Sequence, residues 1–149
     1  MSRRGVTLIE MMIVVAIIGL MVGVTFPAVS SGVESLRLTS ATDNVASFLN
    51  GALNRAERRQ QVMEITISKE ENKLTLRSTE PGYVRDLTMP SGVSITAFRP
   101  ETPRIYLYPG GSVPRLTLEL TNSRGAKKAV RVDPIIGVPE IENLAGEKR

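Results

Sequence analysis

The chain contains no cysteine, no histidine and no tryptophan. Without cysteine it can form neither a disulfide framework nor a thiolate metal site. Without histidine it lacks the commonest general base and the commonest metal ligand. Aromatic residues make up 4% of 149 positions, too few to build a ligand cage of rings. Charge of one sign is scarce as well: 19 basic residues stand against 15 acidic ones, a net of +4 that an ordinary solvated surface accounts for. No glycine-rich phosphate loop, metal-ligand cluster or nucleophile–base pair occurs, and the acidic pairs Glu70-Glu71 and Glu140/Glu142 fall in a polar turn and a polar tail. The expectation is a protein that is not an enzyme and needs no metal or cofactor.

What the chain does have is a long apolar run near its start. Val6 to Val29 spans 24 residues with one charge, Glu10. At 1.5 Å per residue this makes a helix of about 36 Å, enough to cross a hydrocarbon layer of roughly 30 Å. Pro27-Ala28-Val29-Ser30-Ser31 resembles the small-residue end of a secretory signal. The run before it is longer than the roughly 7–15 residues of a signal's apolar region, and a carboxylate does not belong there. Arg3 and Arg4 place the short N-terminal tail on the cytoplasmic side and the rest of the chain outside, by the bias of basic residues toward the cytoplasm. Gly19 and Gly23 form a Gly-x-x-x-Gly, which permits close helix–helix approach, and Pro27 introduces a kink that lipid-embedded helices tolerate.

Glu10 is the anomaly, since a charge well inside a bilayer costs about 2.5–3.5 kcal/mol. The residues around it, Arg4-Gly5-Val6-Thr7-Leu8-Ile9-Glu10, lead into an apolar run with Gly19 and Pro27. Together they resemble the processing site and N-terminal helix of type IV pilins and pseudopilins. The resemblance covers about the first 30 residues. It implies that a prepilin peptidase cleaves between Gly5 and Val6 and methylates the new amine on Val6, where the family usually has Phe. It also implies a role for Glu10 in assembly, attracting the N-terminal amine of a neighbouring subunit. Helical spacing alone equally allows Glu10 to pair with its own Val6 amine, or to reach the headgroups as an interfacial residue.

Beyond the anchor the helical period continues. Leu38, Ala41, Val45, Phe48, Ala52 and Ala56 recur at spacings of three and four, with Leu49 and Leu53 beside them, an apolar stripe that reads as core. After Arg58-Arg59-Gln60-Gln61 the period changes to two. Val62 and Glu64–Ser68 alternate, as do Lys73–Arg77 after the polar Lys69–Asn72, giving a hairpin. Val93–Phe98 and Ile105–Tyr108 read as further strands, and Leu116–Thr121 and Lys128–Asp133 flank Asn122-Ser123-Arg124-Gly125 as a second hairpin. The expected fold is α+β: a long N-terminal helix, its first half transmembrane, packed on an antiparallel β-rich head. The expected divisions are a leader (1–5), a transmembrane helix segment (6–29), a periplasmic continuation of the helix (30–61), a globular head (62–139) and a polar tail (140–149).

The C-terminal half is similar to the globular domain of H-type minor pseudopilins and related minor pilins. The pattern is Tyr108-Pro109-Gly110-Gly111-Ser112, a strand, a glycine-bearing turn, and Val130-Arg131-Val132-Asp133-Pro134 running into Ile136-Gly137. This resemblance implies a minor pseudopilin of a type II secretion system, single-pass in the bacterial inner membrane with a periplasmic head. Its partners would be prepilin peptidase and other minor and major pseudopilins. A minor type IV pilin acting in pilus assembly or DNA uptake is the alternative. The residues offered for nucleic-acid contact are Arg124, Lys127, Lys128 and Arg131, crowded at one hairpin turn. No aromatic residue is interleaved among them for base stacking.

Overall fold

A computed structural model describes residues 6–144 except 81, 112 and 136, and leaves aside the side chains of residues 26–29. The chain divides into two units, Met1–Val33 and Glu34–Arg149, and a single helix, α1 (Leu8–Arg59), contributes to both.

In the first unit α1 carries its apolar side chains uncovered. Leu8, Ile9, Ile13, Ile17, Leu20 and Val24 are all exposed. A Cβ added at Gly19 or Gly23 would meet nothing within 4 Å. Thr25, a polar residue in this run, donates its hydroxyl to the Met21 carbonyl at 2.8 Å, so the group is satisfied inside the helix.

In the second unit the same helix is a core element. Leu38, Ala41, Val45, Phe48, Leu49, Ala52 and Ala56 are buried, the stripe expected from spacing, with Leu53 packed against it. Thr42 joins them, fully buried; its hydroxyl lies 2.9 Å from the Leu38 carbonyl and 2.7 Å from that of Thr39. The helix stops at Arg59 because Gln60 turns into the left-handed region, with φ of 52°. There the Gln61 N–H reaches the Ala56 carbonyl and the Gln60 N–H that of Glu57, closing the exposed helix end.

Eight strands follow: β1 (Met63–Ser68), β2 (Lys73–Ser78), β3 (Val84–Thr88), β4 (Val93–Arg99), β5 (Arg104–Leu107), β6 (Leu116–Asn122), β7 (Lys127–Val132) and β8 (Pro139–Leu144). They form two antiparallel four-stranded sheets, in the orders β3-β2-β1-β5 and β4-β6-β7-β8. The two hairpins legible in the sequence, β1–β2 and β6–β7, hold the central pair of each sheet. Alternation puts Ile65, Ile67, Leu74 and Leu76 of one sheet and Leu116, Leu118, Leu120 and Val130 of the other into one core with the helix stripe. Gly125 supplies the turn after β6 with a φ of 81°, and the Asn122 carboxamide oxygen accepts the N–H groups of Arg124 and Ala126 beneath it.

Asn72, in the β1–β2 turn, ties the sheets together. Its Nδ2 donates to the Val93 carbonyl at 2.7 Å and its Oδ1 accepts the Ile95 N–H at 2.9 Å, so one side chain pairs with β4 as a strand would. Beside it Lys73 sits 2.7 Å from the Glu71 carboxylate, whose hydrogen bond and charge raise the lysine above its ordinary 10.5.

One division read from the sequence needs correction, and one strand was not foreseen. Residues 140–144 are not part of a polar tail: with Pro139 they form β8, paired along β7 from Lys127↔Leu144 to Val132↔Pro139. The sequence reading placed no strand between Arg77 and Val93, where the structure has β3, paired to β2. Both are edge strands with little buried side chain, so the alternation that marks a half-buried strand is absent from them.

Candidate processing and assembly site

The N-terminus of α1 is built from four residues. Thr7 precedes the helix; its hydroxyl accepts the Glu10 N–H at 3.3 Å, and its carbonyl accepts the Met11 N–H at 3.3 Å. Thr7 is therefore the N-cap, and Thr7-Leu8-Ile9-Glu10 is the Ser/Thr-x-x-Glu pattern of a capping box. Glu10 lies in the first turn, where the partial positive charge of the helix end favours a carboxylate. Nothing in the described residues forms an ion pair with Glu10. Val6 is 67% exposed, one residue outside the cap. Gly5 and the basic residues Arg3 and Arg4 lie outside the described residues.

The capping role of Thr7 was legible in the sequence, in its spacing to Glu10, and the membrane reading of the run drew attention away from it. It makes the anomaly less severe. Glu10 sits where a helix tolerates an anion best, at the edge of the apolar run rather than within it. A carboxylate there has all but its helix-dipole interaction still open to a cation from elsewhere. Among the described residues α1 is the one helix long and apolar enough to cross a membrane, with a mean hydropathy of 2.5 in a window none of which is covered by protein. Such exposure separates it from the core helix of a soluble domain. The alternative of Glu10 pairing with its own chain's Val6 amine rests on helical spacing, and that spacing does not apply here, since Val6 lies outside the helix, one residue before the Thr7 cap.

The four basic residues offered for nucleic acid do not converge. Strand alternation sends Lys128 to the helix-facing side of its sheet, where Nζ donates to Thr39 Oγ1 at 3.0 Å. Arg124 pairs with Glu34 at 2.9 Å, also on α1. Arg131 points to the opposite face and pairs with Glu142 at 3.5 Å. Lys127 is exposed on that outer face. Two of the four thus serve to fasten the β6–β7 turn to the helix, which the sequence did not reveal because Glu34 and Thr39 are some 90 residues away.

The Tyr108-Pro-Gly-Gly segment has a comparable structural task. The Gly110 N–H donates to Glu57 Oε1 at 2.8 Å, anchoring the loop between β5 and β6 to the last turns of α1.

Three comparisons bear on this arrangement. The family described as the prokaryotic N-terminal methylation motif matches residues 1–26. No curated protein matches the chain. Among solved structures, the chain is similar to the minor pseudopilin EpsH from the type 2 secretion system of Vibrio cholerae, with a TM-score of 0.57 and 13% identity over 75% of this chain and 99% of that one. It is also similar to the type IV minor pilin FimU of Pseudomonas aeruginosa, with a TM-score of 0.54 and 12% identity over 77% of this chain and 93% of that one. At these identities the likeness establishes the fold: α+β, pilin-like, one long N-terminal helix packed on antiparallel sheets. The motif implies processing by a prepilin peptidase and anchoring in a membrane.

Proposed function

We propose that this chain, whose N-terminal motif and fold are those of type IV pilins and pseudopilins, is a minor pseudopilin of a type II secretion system, a structural subunit without catalysis of its own. One observation carries the reading. A single helix is uncovered from Leu8 to Thr25, begins with a capped turn whose Glu10 has no ion-pair partner among the described residues, and joins the core of a β-rich head from Leu38 onward. Such a helix is stable only with an apolar environment around its first half, supplied by lipid before assembly and by neighbouring helices after it.

Cleavage between Gly5 and Val6 leaves a cationic amine directly beside the Thr7 cap, and methylation preserves its charge. The carboxylate of Glu10 then meets the amine of an adjacent subunit as the helix leaves the inner membrane, fixing its register in the filament. In low dielectric neither charge is tolerable alone, so the pairing is selective for correct register. The head is periplasmic and contacts other minor and major pseudopilins. A minor type IV pilin is the second reading, favoured by the similar fold likeness to FimU. The identity of the subunits that co-purify with the full chain separates the two.

The test uses Glu10→Leu in the full chain. Insertion should be undiminished, because a charge has been removed from an apolar segment. Recovery in cross-linked complexes with other subunits should fall at least about tenfold, the loss expected when a low-dielectric charge is left without its partner. Glu10→Gln should show the same defect more mildly. Normal recovery from Glu10→Leu would show Glu10 to be an interfacial bystander.

A further inference from the structure

The outer face of the second sheet carries a groove that neither processing nor anchoring uses. A bulge in β4 turns Arg99 toward it. Pairing runs Ile95↔Leu120 and then Ala97↔Glu119, so Thr96 is the extra residue and the inward–outward alternation changes phase there. Val93 and Ile95 therefore point into the core, and so does Phe98, while Arg99 is turned outward. Without the bulge, Arg99 would share the inward face of Val93 and Ile95. The Thr96 hydroxyl fixes the bulge by bonding to Thr121 Oγ1 at 3.1 Å.

Arg99 lies opposite Thr117, which lies opposite Arg131, giving a row across β4, β6 and β7 on the outer face. Arg115 lines the same groove, whose volume is about 690 Å³. Its floor is Ala129, buried although it faces outward. Arg131 is occupied by Glu142, but neither Arg99 nor Arg115 has an ion-pair partner among the described residues. Both are exposed. Two carboxylates, Glu119 and Glu142, line the groove in the neighbouring row across β6, β7 and β8.

We infer that this groove docks an extended acidic segment of a partner protein, with carboxylates on Arg99 and Arg115. Guanidinium forks pair with carboxylates bidentately, and two of them side by side select for an acidic stretch rather than one residue. The charge pattern disfavours nucleic acid. A phosphate backbone, with a charge at every step, would be laid against Glu119 and Glu142, and no aromatic ring lines the groove to stack a base. A peptide can place acidic residues at one end and neutral ones at the other. The inference names the chemistry of a partner for the head, and so deepens the filament reading. Its test involves no filament, and its failure would leave the Glu10 result untouched.

The experiment titrates the full chain, in a zwitterionic detergent at low salt, into a fluorescein-labelled peptide of two glutamates followed by six serines and follows anisotropy. Saturable binding should appear, weaken with salt, and fall at least about tenfold in the Arg99→Glu, Arg115→Glu double variant. Arg58→Glu with Arg59→Glu makes the same charge change at the end of α1 and should leave binding intact. Should the groove variant fail to fold by circular dichroism, Arg99→Gln with Arg115→Gln replaces it and should show the same loss. Absence of binding, equal loss in both double variants, or equal binding of an octalysine peptide would each overturn the inference. Tighter binding of oligothymidylate through the same two arginines would overturn it in favour of a nucleic-acid groove.

Discussion

On one helix, Ile13, Ile17 and Leu20 are 55%, 52% and 71% exposed, while Val45, Phe48 and Ala52 are 0–2% exposed. The side chains are of one chemical kind, and the difference lies in what the rest of the chain provides. From Leu38 onward two sheets supply apolar partners at helical spacing. From Leu8 to Thr25 the described residues supply none, and that stretch relies on a medium or on other molecules. Polar residues follow the same division. Thr25 satisfies its hydroxyl within the helix, as a residue facing lipid must, whereas the second unit is fastened by long-range polar contacts such as Asn72 to β4 and Lys128 to Thr39.

The comparison breaks first at its largest contrast. Phe48→Ala should cost the head about 3–5 kcal/mol in a urea melt of the full chain in detergent, through lost transfer free energy and a cavity. Ile17→Ala, which removes an exposed side chain of the first unit, should leave that melt unchanged. Equal losses would mean that the first unit has intramolecular cover after all.

Asn72→Ala should be the next most costly, by about 1–3 kcal/mol, since it leaves the Val93 carbonyl and Ile95 N–H without partners at the join of the two sheets. Asn72→Asp sharpens the point: it keeps the acceptor for Ile95 and sets an oxygen against the Val93 carbonyl, so it should not rescue stability. A smaller effect is expected at the helix–hairpin fastening. Glu34→Gln removes the charge facing Arg124, in a pair whose side chains are 27% and 44% exposed. Screening by water limits the loss to about 1 kcal/mol or less, and the difference from wild type should vanish in high salt.

How much of this was legible in the sequence follows the same physics. The helix stripe and both central hairpins could be read because burial on one face imposes a period, 3.6 in α1 and 2 in β1, β2, β6 and β7. The edge strands β3 and β8 bury almost nothing, so no period was imposed and residues 140–144 read as a tail. The bulge at Thr96 was invisible because Val93, Ile95 and Ala97 continue one apolar alternation straight through it. At the N-terminus the methylation motif over residues 1–26 was legible as a resemblance, cleavage between Gly5 and Val6 is a proposal, and the Thr7 cap was present in the spacing to Glu10. The basic turn was misread as one surface because the sequence does not show that alternation sends Lys128 inward and Arg131 outward.

The central claim is that the mature chain begins at Val6, two residues before the uncovered helix. Intact-mass measurement and N-terminal sequencing of the chain recovered from membranes test it most directly. The account predicts a chain starting at Val6, carrying one methyl group on its amine, and retention of the leader in Gly5→Val. A mature N-terminus near residue 31, with the helix removed, would contradict it and mark the segment as a secretory signal.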